Sequence, residues 1–169
     1  DRDGVTLGPL IDADAVAAMR RAVDTAEAAG AAVATGGSAL ESDDLAHGCF
    51  FEPTVMTGVR AGTELATREV FGPVIGFETF TDLDEAIASA NAVEYGLSAA
   101  ICTRSISAAQ RFAAEIEAGM VRINRPTVGA AFNAPFGGIK QSGTGMHREQ
   151  LGPTVMDFYT TTRTVWFGS

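Results

Sequence analysis

In the middle of the chain, short apolar segments alternate with amphipathic segments of helical period, and only short connections separate them. The apolar segments at 74–80, 97–102 and 120–123 predict strands. Asp82 and Ser105 stand before the two intervening segments, where helix N-caps are expected. Strands joined by helices over short connections require right-handed crossovers and lie parallel in one sheet. The chain is therefore predicted to have an α/β fold built on a parallel βαβαβ sheet.

The N-terminal half continues this pattern of helices and strands. Residues 14–27 place apolar side chains at helical spacing, Asp12 or Asp14 can cap this helix, and Gly30 follows as a C-terminal stop. Residues 31–34 predict a short strand. Residues 50–59 predict an extended segment in which Pro53 favours an edge or a bulge. The α/β pattern therefore begins well before the central segments.

The chain is acidic, with 12 Lys and Arg against 21 Asp and Glu and a formal net charge of −9. Binding to nucleic acid requires clustered basic residues that neutralise phosphates, so no nucleic-acid partner is expected. A hydrophobic fraction of 46% suffices for a buried core, yet no apolar run approaches the length of a membrane helix. The first residues lack a signal-peptide layout, and a cytoplasmic protein without a membrane partner is expected.

A loop rich in glycine and proline follows the strand predicted at 120–123 and is longer than a connection needs to be. It starts at the carboxyl end of that strand, where open α/β sheets bind ligands. Polar and aromatic side chains suited to a pocket wall occur in it: Asn124, Arg125, Phe132, Asn133 and Phe136. An ordered surface loop would explain the same composition, so the residues alone leave both interpretations open.

A second candidate site is the segment around Glu69 and Phe71. A carboxylate accepts two hydrogen bonds from a vicinal diol, and a phenyl ring two residues away packs on a flat heterocycle. Gly72 permits close backbone approach. The structural alternative is a glutamate that caps or flanks a turn, with Phe71 in the core, and spacing alone favours that alternative.

The two cysteines are weighed as nucleophiles, and neither has metal-ligand spacing. Cys102 ends a strand predicted to be buried, where a thiol is normally inert. Cys49 lies two residues from His47, a pairing that leaves open a thiol enzyme or esterase. The sequence contains no G-x-G-x-x-G, Walker or G-x-S-x-G motif, and no metal site is predicted.

Three segments, in order along the chain, resemble the motifs of one enzyme family. Residues 69–74 (Glu-Val-Phe-Gly-Pro-Val) resemble E-x-F-G-P-V, and residues 135–143 (Pro-Phe-Gly-Gly-Ile-Lys-Gln-Ser-Gly) resemble P-F-G-G-x-K-x-S-G. Residues 158–165 resemble a closing Y-T-x-x-K-T-V strand, with Arg163 in place of lysine. The chain is thus similar to the C-terminal part of NAD(P)-dependent aldehyde dehydrogenases. Shorter matches support this at 8–11, 51–55 and 94–98.

This resemblance implies roles for both candidate regions. Glu69 matches the glutamate that holds the nicotinamide ribose hydroxyls of NAD or NADP, and Phe71 matches the aromatic residue that contacts the nicotinamide ring. Phe136 matches the phenylalanine at the mouth of the aldehyde pocket. The variable substrate loop is filled by Arg125 to Asn133, with Phe132 among its residues.

The resemblance also implies how the chain is organised. Residues 1–158 would be the C-terminal part of the catalytic domain, whose parallel βαβαβ sheet is incomplete in this chain. Residues 159–169 would form an oligomerisation strand that crosses to the sheet of a neighbouring subunit. The expected partners are therefore an aldehyde substrate and further copies of the same chain.

The implied reaction oxidises an aldehyde to a carboxylic acid: a cysteine thiolate attacks, hydride passes to the nicotinamide, and water hydrolyses the thioester. The family's nucleophilic cysteine, general base, oxyanion asparagine and dinucleotide domain lie upstream of the matched region. Neither Cys49 nor Cys102 occupies the nucleophile's motif, so no catalytic residue is assigned and the chain alone is expected to be inactive. The alternative is a stand-alone, non-catalytic pseudoenzyme that assembles with full-length homologues.

Two short segments bear on the substrate. Asn-Arg-Pro-Thr at 124–127 and Arg-Glu-Gln at 148–150 are similar to the branch that oxidises semialdehydes such as 2-oxoglutarate semialdehyde. Arg125 would then meet a substrate carboxylate bidentately. Met146 and His147 depart from the family pattern, which usually runs directly from glycine into Arg-Glu.

Overall fold

The structure is a computed structural model that describes residues 7–41, 45–143 and 150–168. Met146, His147 and two residues of the 148–150 segment therefore lie outside the described residues. The chain divides into two compact units, Asp1–Thr81 and Asp82–Ser169. Both units contain helices and strands, which confirms the predicted α/β class. The boundary predicted at residue 158 concerns a different division and stays a prediction.

The first unit contains α1 (Ala13–Ala28), β1 (Ala32–Thr35), β2 (Thr54–Thr57), α2 (Glu64–Thr67) and β3 (Val74–Phe77). Asp12 caps α1, since its side chain accepts a hydrogen bond from the Ala15 amide at 2.8 Å. Gly30 follows the helix with a φ of 96°, a conformation that glycine adopts without strain. The predicted first helix, its cap and its stop are therefore confirmed.

The sheet of the first unit has the order β1-β2-β3. β1 runs antiparallel to β2, and β2 runs parallel to β3 in a register from Thr54↔Val74 to Thr57↔Phe77. One apolar cluster joins the sheet to α1: Met19, Val23, Ala26, Phe51, Met56 and Val59. The buried residues of α1 are three and four positions apart, so they lie on one face of the helix. Packing this face on the sheet removes apolar surface from water and stabilises the unit.

The second unit contains α3 (Leu83–Asn91), β4 (Tyr95–Gly96), β5 (Ser98–Ile101), α4 (Ile106–Glu115), β6 (Met120–Ile123), β7 (Ile139–Lys140) and α5 (Val155–Tyr159). Both predicted N-caps are confirmed. The Asp82 side chain accepts from the Glu85 amide at 2.9 Å, and Ser105 accepts from the Ala108 amide at 3.2 Å.

β5 and β6 run parallel, from Ser98↔Met120 to Ile101↔Ile123, as expected for strands joined by a helix. Their helices bury Ile87, Phe112 and Ile116 in one apolar cluster. Helical spacing from Phe112 and Ile116 predicts that Ile106 lies on the same inner face. This prediction is wrong, since Ile106 opens the first turn of α4 and is 75% exposed.

The single parallel βαβαβ sheet is not what the structure has. β3 belongs to the three-stranded sheet of the first unit, where β2 supplies its hydrogen-bonding partner. β5 and β6 form a two-stranded sheet, and β4 pairs antiparallel with β7. The predicted alternation of strands and helices is confirmed, but periodicity carries no information on which strands pair.

The terminal segment predicted as a strand, residues 160–167, forms no strand in the part of the chain that the structure describes. Its side chains are exposed, Phe167 to 94%. A strand is stabilised by backbone hydrogen bonds to a neighbouring strand, and the described residues provide no such strand for this segment.

In the described ranges of the whole chain, no helix is both long and apolar enough to cross a membrane.

Candidate functional site

A tight turn after α2 directs Phe71 away from the core of the first unit. The Gly72 amide donates to the Val70 carbonyl at 2.6 Å, and the Val74 amide donates to the Gly72 carbonyl at 2.9 Å. Val70 packs against the buried cluster, so the turn places the neighbouring Phe71 ring outside, where it is 81% exposed. The alternative that put Phe71 in the core is wrong.

Glu69 lies on the same turn, and its carboxylate is exposed. No side chain or amide within the described ranges forms a hydrogen bond or ion pair with it, so it caps no turn there. The neighbouring Arg68 pairs instead with Glu64, at 3.7 Å between Nη1 and Oε1. The lone pairs of the carboxylate are therefore accessible to hydrogen-bond donors from outside the described residues.

Gly72 fixes how closely this turn approaches α1. A Cβ at position 72 would lie 2.2 Å from Sδ of the buried Met19, so a larger residue would force the Met19 side chain to shift. The glycine therefore matters for this close contact with the helix rather than for its backbone angles, since it does not adopt a positive φ. The backbone that carries Glu69 and Phe71 is thus packed against α1.

The turn and two helices enclose an open cavity of about 430 Å³. Glu69 and Phe71 line it together with polar side chains from both helices, among them Arg21 and Thr25 of α1 and Glu64 of α2. A free carboxylate accepts hydrogen bonds from a pair of neighbouring hydroxyls, and an exposed ring packs on a flat heterocycle. These residues therefore fit the nicotinamide riboside end of the cofactor that the resemblance implies.

The second unit has a smaller cavity, of about 260 Å³, between β6 and the loop that follows it. Phe136 lines this cavity, and its amide donates to the Gln150 carbonyl at 2.9 Å. The other predicted pocket residues are exposed and do not line it: Arg125, Phe132 and Asn133. The structure therefore places one of the four pocket candidates at a cavity and leaves three on the outer surface of the loop.

Arg122 also lines this cavity, and it is not among the site residues predicted from the sequence. One of its guanidinium nitrogens, Nη2, donates to the Gly129 carbonyl in the loop. Its Nε is buried without a hydrogen-bond partner in the described part of the chain. The available signal was a single charged residue in the otherwise apolar strand Met-Val-Arg-Ile.

Asn124 starts the loop by clamping the carboxyl ends of β5 and β6. Its side-chain oxygen accepts from the Thr103 amide at 2.8 Å, and its side-chain nitrogen donates to the Thr103 carbonyl at 2.9 Å. The backbone of Asn124 has a φ of 55°, a left-handed conformation that asparagine adopts more readily than most residues. These contacts fix the direction in which the loop leaves the sheet.

Two residues of the 135–143 motif have structural roles. The Lys140 ammonium donates to the carbonyls of Asn91 and Val93, at 2.7 and 2.9 Å, and pairs with Glu117 at 2.6 Å. The lysine therefore holds this segment against the C-terminal ends of α3 and α4. A Cβ on Gly138 would lie 2.2 Å from the Ser142 carbonyl oxygen, so the glycine permits a close approach within the segment itself.

The cysteines lie apart from these cavities. Cys102 is exposed, because β5 ends at Ile101, and the prediction of a buried thiol is wrong. Cys49 is half-buried, and within the described ranges it forms no hydrogen bond with His47. Among the described residues, no group of three or more His, Cys, Asp or Glu side chains could hold a metal ion.

Comparison with known proteins shows similarity along nearly the whole chain. The sequence profile of the aldehyde dehydrogenase family matches residues 1–165. Alpha-ketoglutarate semialdehyde dehydrogenase of Haloferax volcanii is 42% identical over 160 residues, covering 95% of this chain and 33% of that protein. 2,5-Dioxopentanoate dehydrogenase of Saccharolobus solfataricus is 36% identical over 166 residues, covering 98% of this chain and 34% of that protein.

Solved structures give the same result. Betaine aldehyde dehydrogenase of Staphylococcus aureus, in complex with NAD+, superposes with a TM-score of 0.84 at 38% identity, over 94% of this chain and 30% of that one. Succinate-semialdehyde dehydrogenase of Burkholderia pseudomallei superposes with a TM-score of 0.82 at 39% identity, over 94% of this chain and 31% of that one. The chain spans about a third of the length of the curated relatives it matches.

Proposed function

Because the chain belongs to the aldehyde dehydrogenase family, we propose that it forms part of the cofactor site and the aldehyde pocket of an NAD(P)-dependent dehydrogenase. That enzyme would oxidise an aldehyde or semialdehyde to the carboxylic acid. The proposal is supported above all by the first cavity, where the free Glu69 carboxylate and the outward Phe71 ring line one surface.

In this proposal the chain's own residues bind and orient. Glu69 accepts hydrogen bonds from the ribose hydroxyls, and Phe71 packs against the nicotinamide, which limits the positions that the ring can take. The bound cofactor supplies the hydride acceptor. Phe136 forms an apolar wall of the second cavity, whose volume suits a small aldehyde. Arg125, Phe132 and Asn133 belong to the substrate loop beside it.

The residue that attacks the aldehyde is proposed to lie outside this chain. Cys102 is exposed at the end of β5, and Cys49 is not accompanied by a base within hydrogen-bonding distance in the described residues. The chain alone would then bind but not oxidise an aldehyde. The exposed terminal segment, with Val165, Trp166 and Phe167 in it, would pair with the sheet of a neighbouring subunit.

The proposal is tested with the natural polypeptide that carries this sequence. Purified polypeptide is incubated with NAD or NADP and a series of aldehydes, and reduced nicotinamide is followed by its absorbance. Aldehyde-dependent reduction of one cofactor is expected, with the 169-residue chain alone giving none. A folded natural polypeptide that reduces neither cofactor with any aldehyde contradicts the proposal and favours the non-catalytic pseudoenzyme.

The substrate class is proposed from Arg125, an exposed cation in the loop, and from the semialdehyde names of the relatives. Arg125→Ala is expected to lower kcat/KM about tenfold for an aldehyde with a carboxylate, because a charge-assisted hydrogen bond is lost. A neutral aldehyde of equal length should be unaffected. Arg104→Ala, at another exposed arginine, is the matched control. Equal kcat/KM of wild type and Arg125→Ala for both aldehydes would remove this assignment.

A further inference from the structure

Arg122 is placed between the β5-β6 sheet and the loop that follows it by the register of β6. It pairs with Ala100 of β5 in the parallel ladder, one residue before the strand ends. From there its guanidinium donates to the Gly129 carbonyl, seven residues further along the chain. Gly129 has a φ of 90° with open space around it, and this backbone conformation is rare for any residue with a side chain. A rigid strand and a specific backbone conformation thus meet at one hydrogen bond.

The burial of Nε shows that Arg122 does not behave as an ordinary surface arginine. A hydrated guanidinium satisfies all five of its N–H donors, whereas the Arg122 Nε is buried without an acceptor among the described residues. Leaving a buried donor unpaired costs free energy. The other contacts of the side chain, which are the hydrogen bond to the loop and the packing at the cavity surface, must therefore offset this cost.

The residues directly after Gly129 also line that cavity. Ala130 and Ala131 line it together with Arg122 and Phe136. A hydrogen bond that holds the loop at Gly129 therefore restrains these two small side chains at the cavity surface. A loop released there could move them and change the width of the cavity.

We propose that Arg122 is a positioning residue that anchors the loop through the Gly129 carbonyl and thereby sets the size of aldehyde that the cavity beside Phe136 admits. The specificity part of this proposal rests on the proposed function, whereas the anchoring part does not. The cavity is lined mainly by apolar and small residues, so the discrimination concerns the length and width of the aldehyde.

Amide hydrogen exchange in the natural polypeptide tests the anchoring. Three amides depend on the loop and its return: Ala134, Phe136 and Gly152, which donate to Ala131, Gln150 and Phe132. In Arg122→Met they are expected to exchange about tenfold faster, because a hydrogen bond from a charged donor is lost. The same three amides should exchange more slowly in Arg122→Lys, which keeps a hydrogen-bond donor, than in Arg122→Met. The sheet amides of Met120 and Asn124 should be unchanged.

A glycine pair provides a second test that leaves Arg122 intact. Gly129→Ala and Gly62→Ala both replace a glycine of positive φ in open space, so their direct backbone costs are similar. Only Gly129→Ala is expected to speed exchange at Ala134 and Phe136. Wild-type exchange in Arg122→Met, or an equal increase at the loop and sheet amides, would overturn the anchoring.

The specificity is measured as the ratio of kcat/KM for two aldehydes that differ in length. The ratio does not depend on the amount of folded enzyme, so a purely structural defect leaves it unchanged. Arg122→Met is expected to change the ratio about tenfold toward the aldehyde that wild type disfavours. An unchanged ratio would overturn the specificity role. If the wild type oxidises no aldehyde, the proposed function fails and the exchange experiment still decides the anchoring.

Discussion

Glu69→Gln is expected to raise the Kd of the nicotinamide cofactor about 10- to 100-fold in the natural polypeptide. The carboxylate is exposed and has no partner in the described residues, so its proposed role is to accept hydrogen bonds from the ribose hydroxyls. A hydrogen bond to a charged group contributes about 1.5–3 kcal/mol, which corresponds to this range of Kd. Glutamine keeps the size of the side chain and removes the charge. Isothermal titration calorimetry measures the effect.

Glu27→Gln is the matched control, since Glu27 is an exposed glutamate of α1 that does not line the cavity. It should leave the Kd unchanged. Phe71→Ala should also weaken cofactor binding, without lowering stability, because the ring is 81% exposed in the chain itself. Wild-type affinity in both Glu69→Gln and Phe71→Ala would refute the assignment of this turn to the cofactor.

Met56→Ala is expected to lower the free energy of unfolding by about 2–5 kcal/mol, the range found for large-to-small substitutions in a core. Met56 is 0% exposed and lies in β2, the central strand of the first sheet. It belongs to the cluster that joins this sheet to α1. Truncation removes apolar contacts and leaves a cavity that a close-packed interior fills only in part. Urea unfolding followed by circular dichroism measures the change.

Met156→Ala provides the comparison at the same residue type, because Met156 is 57% exposed. A change of less than about 0.5 kcal/mol is expected there. The difference between the two variants reports burial rather than the chemistry of methionine. Similar unfolding midpoints for Met56→Ala and wild type would show that the sheet of the first unit does not pack on α1 as described.

Local signals in the sequence predicted local structure well. Asp12, Asp82 and Ser105 cap their helices because a short oxygen-bearing side chain reaches the free amides of the first turn. Gly30 ends α1 for an equally local reason. Pairing of strands is a property of the tertiary structure, and for that reason the predicted pairing of β3 with the strands of the second unit is wrong.

The candidate site was predictable in its residue types and less so in its geometry. The sequence identifies the carboxylate of Glu69 and the ring of Phe71 as groups that could bind a cofactor, but spacing favours a buried ring. In the structure the turn at Val70 leaves the Phe71 ring exposed. Arg122 was missed because a single cation in a strand carries no pattern, and its significance depends on where the loop returns. Arg125 is predicted to line the pocket because it is a charged residue of the loop, yet it does not line the cavity.

We propose that this chain supplies the nicotinamide and aldehyde ends of a longer dehydrogenase. The most direct measurement is the intact mass of the polypeptide from its natural source, captured with an antibody against this region. Since the chain covers 33% of the Haloferax relative, a mass about three times the 17.5 kDa of this chain is expected, together with cofactor-dependent aldehyde oxidation. A single species of 17.5 kDa without that activity would contradict the proposal that this chain is part of a longer dehydrogenase.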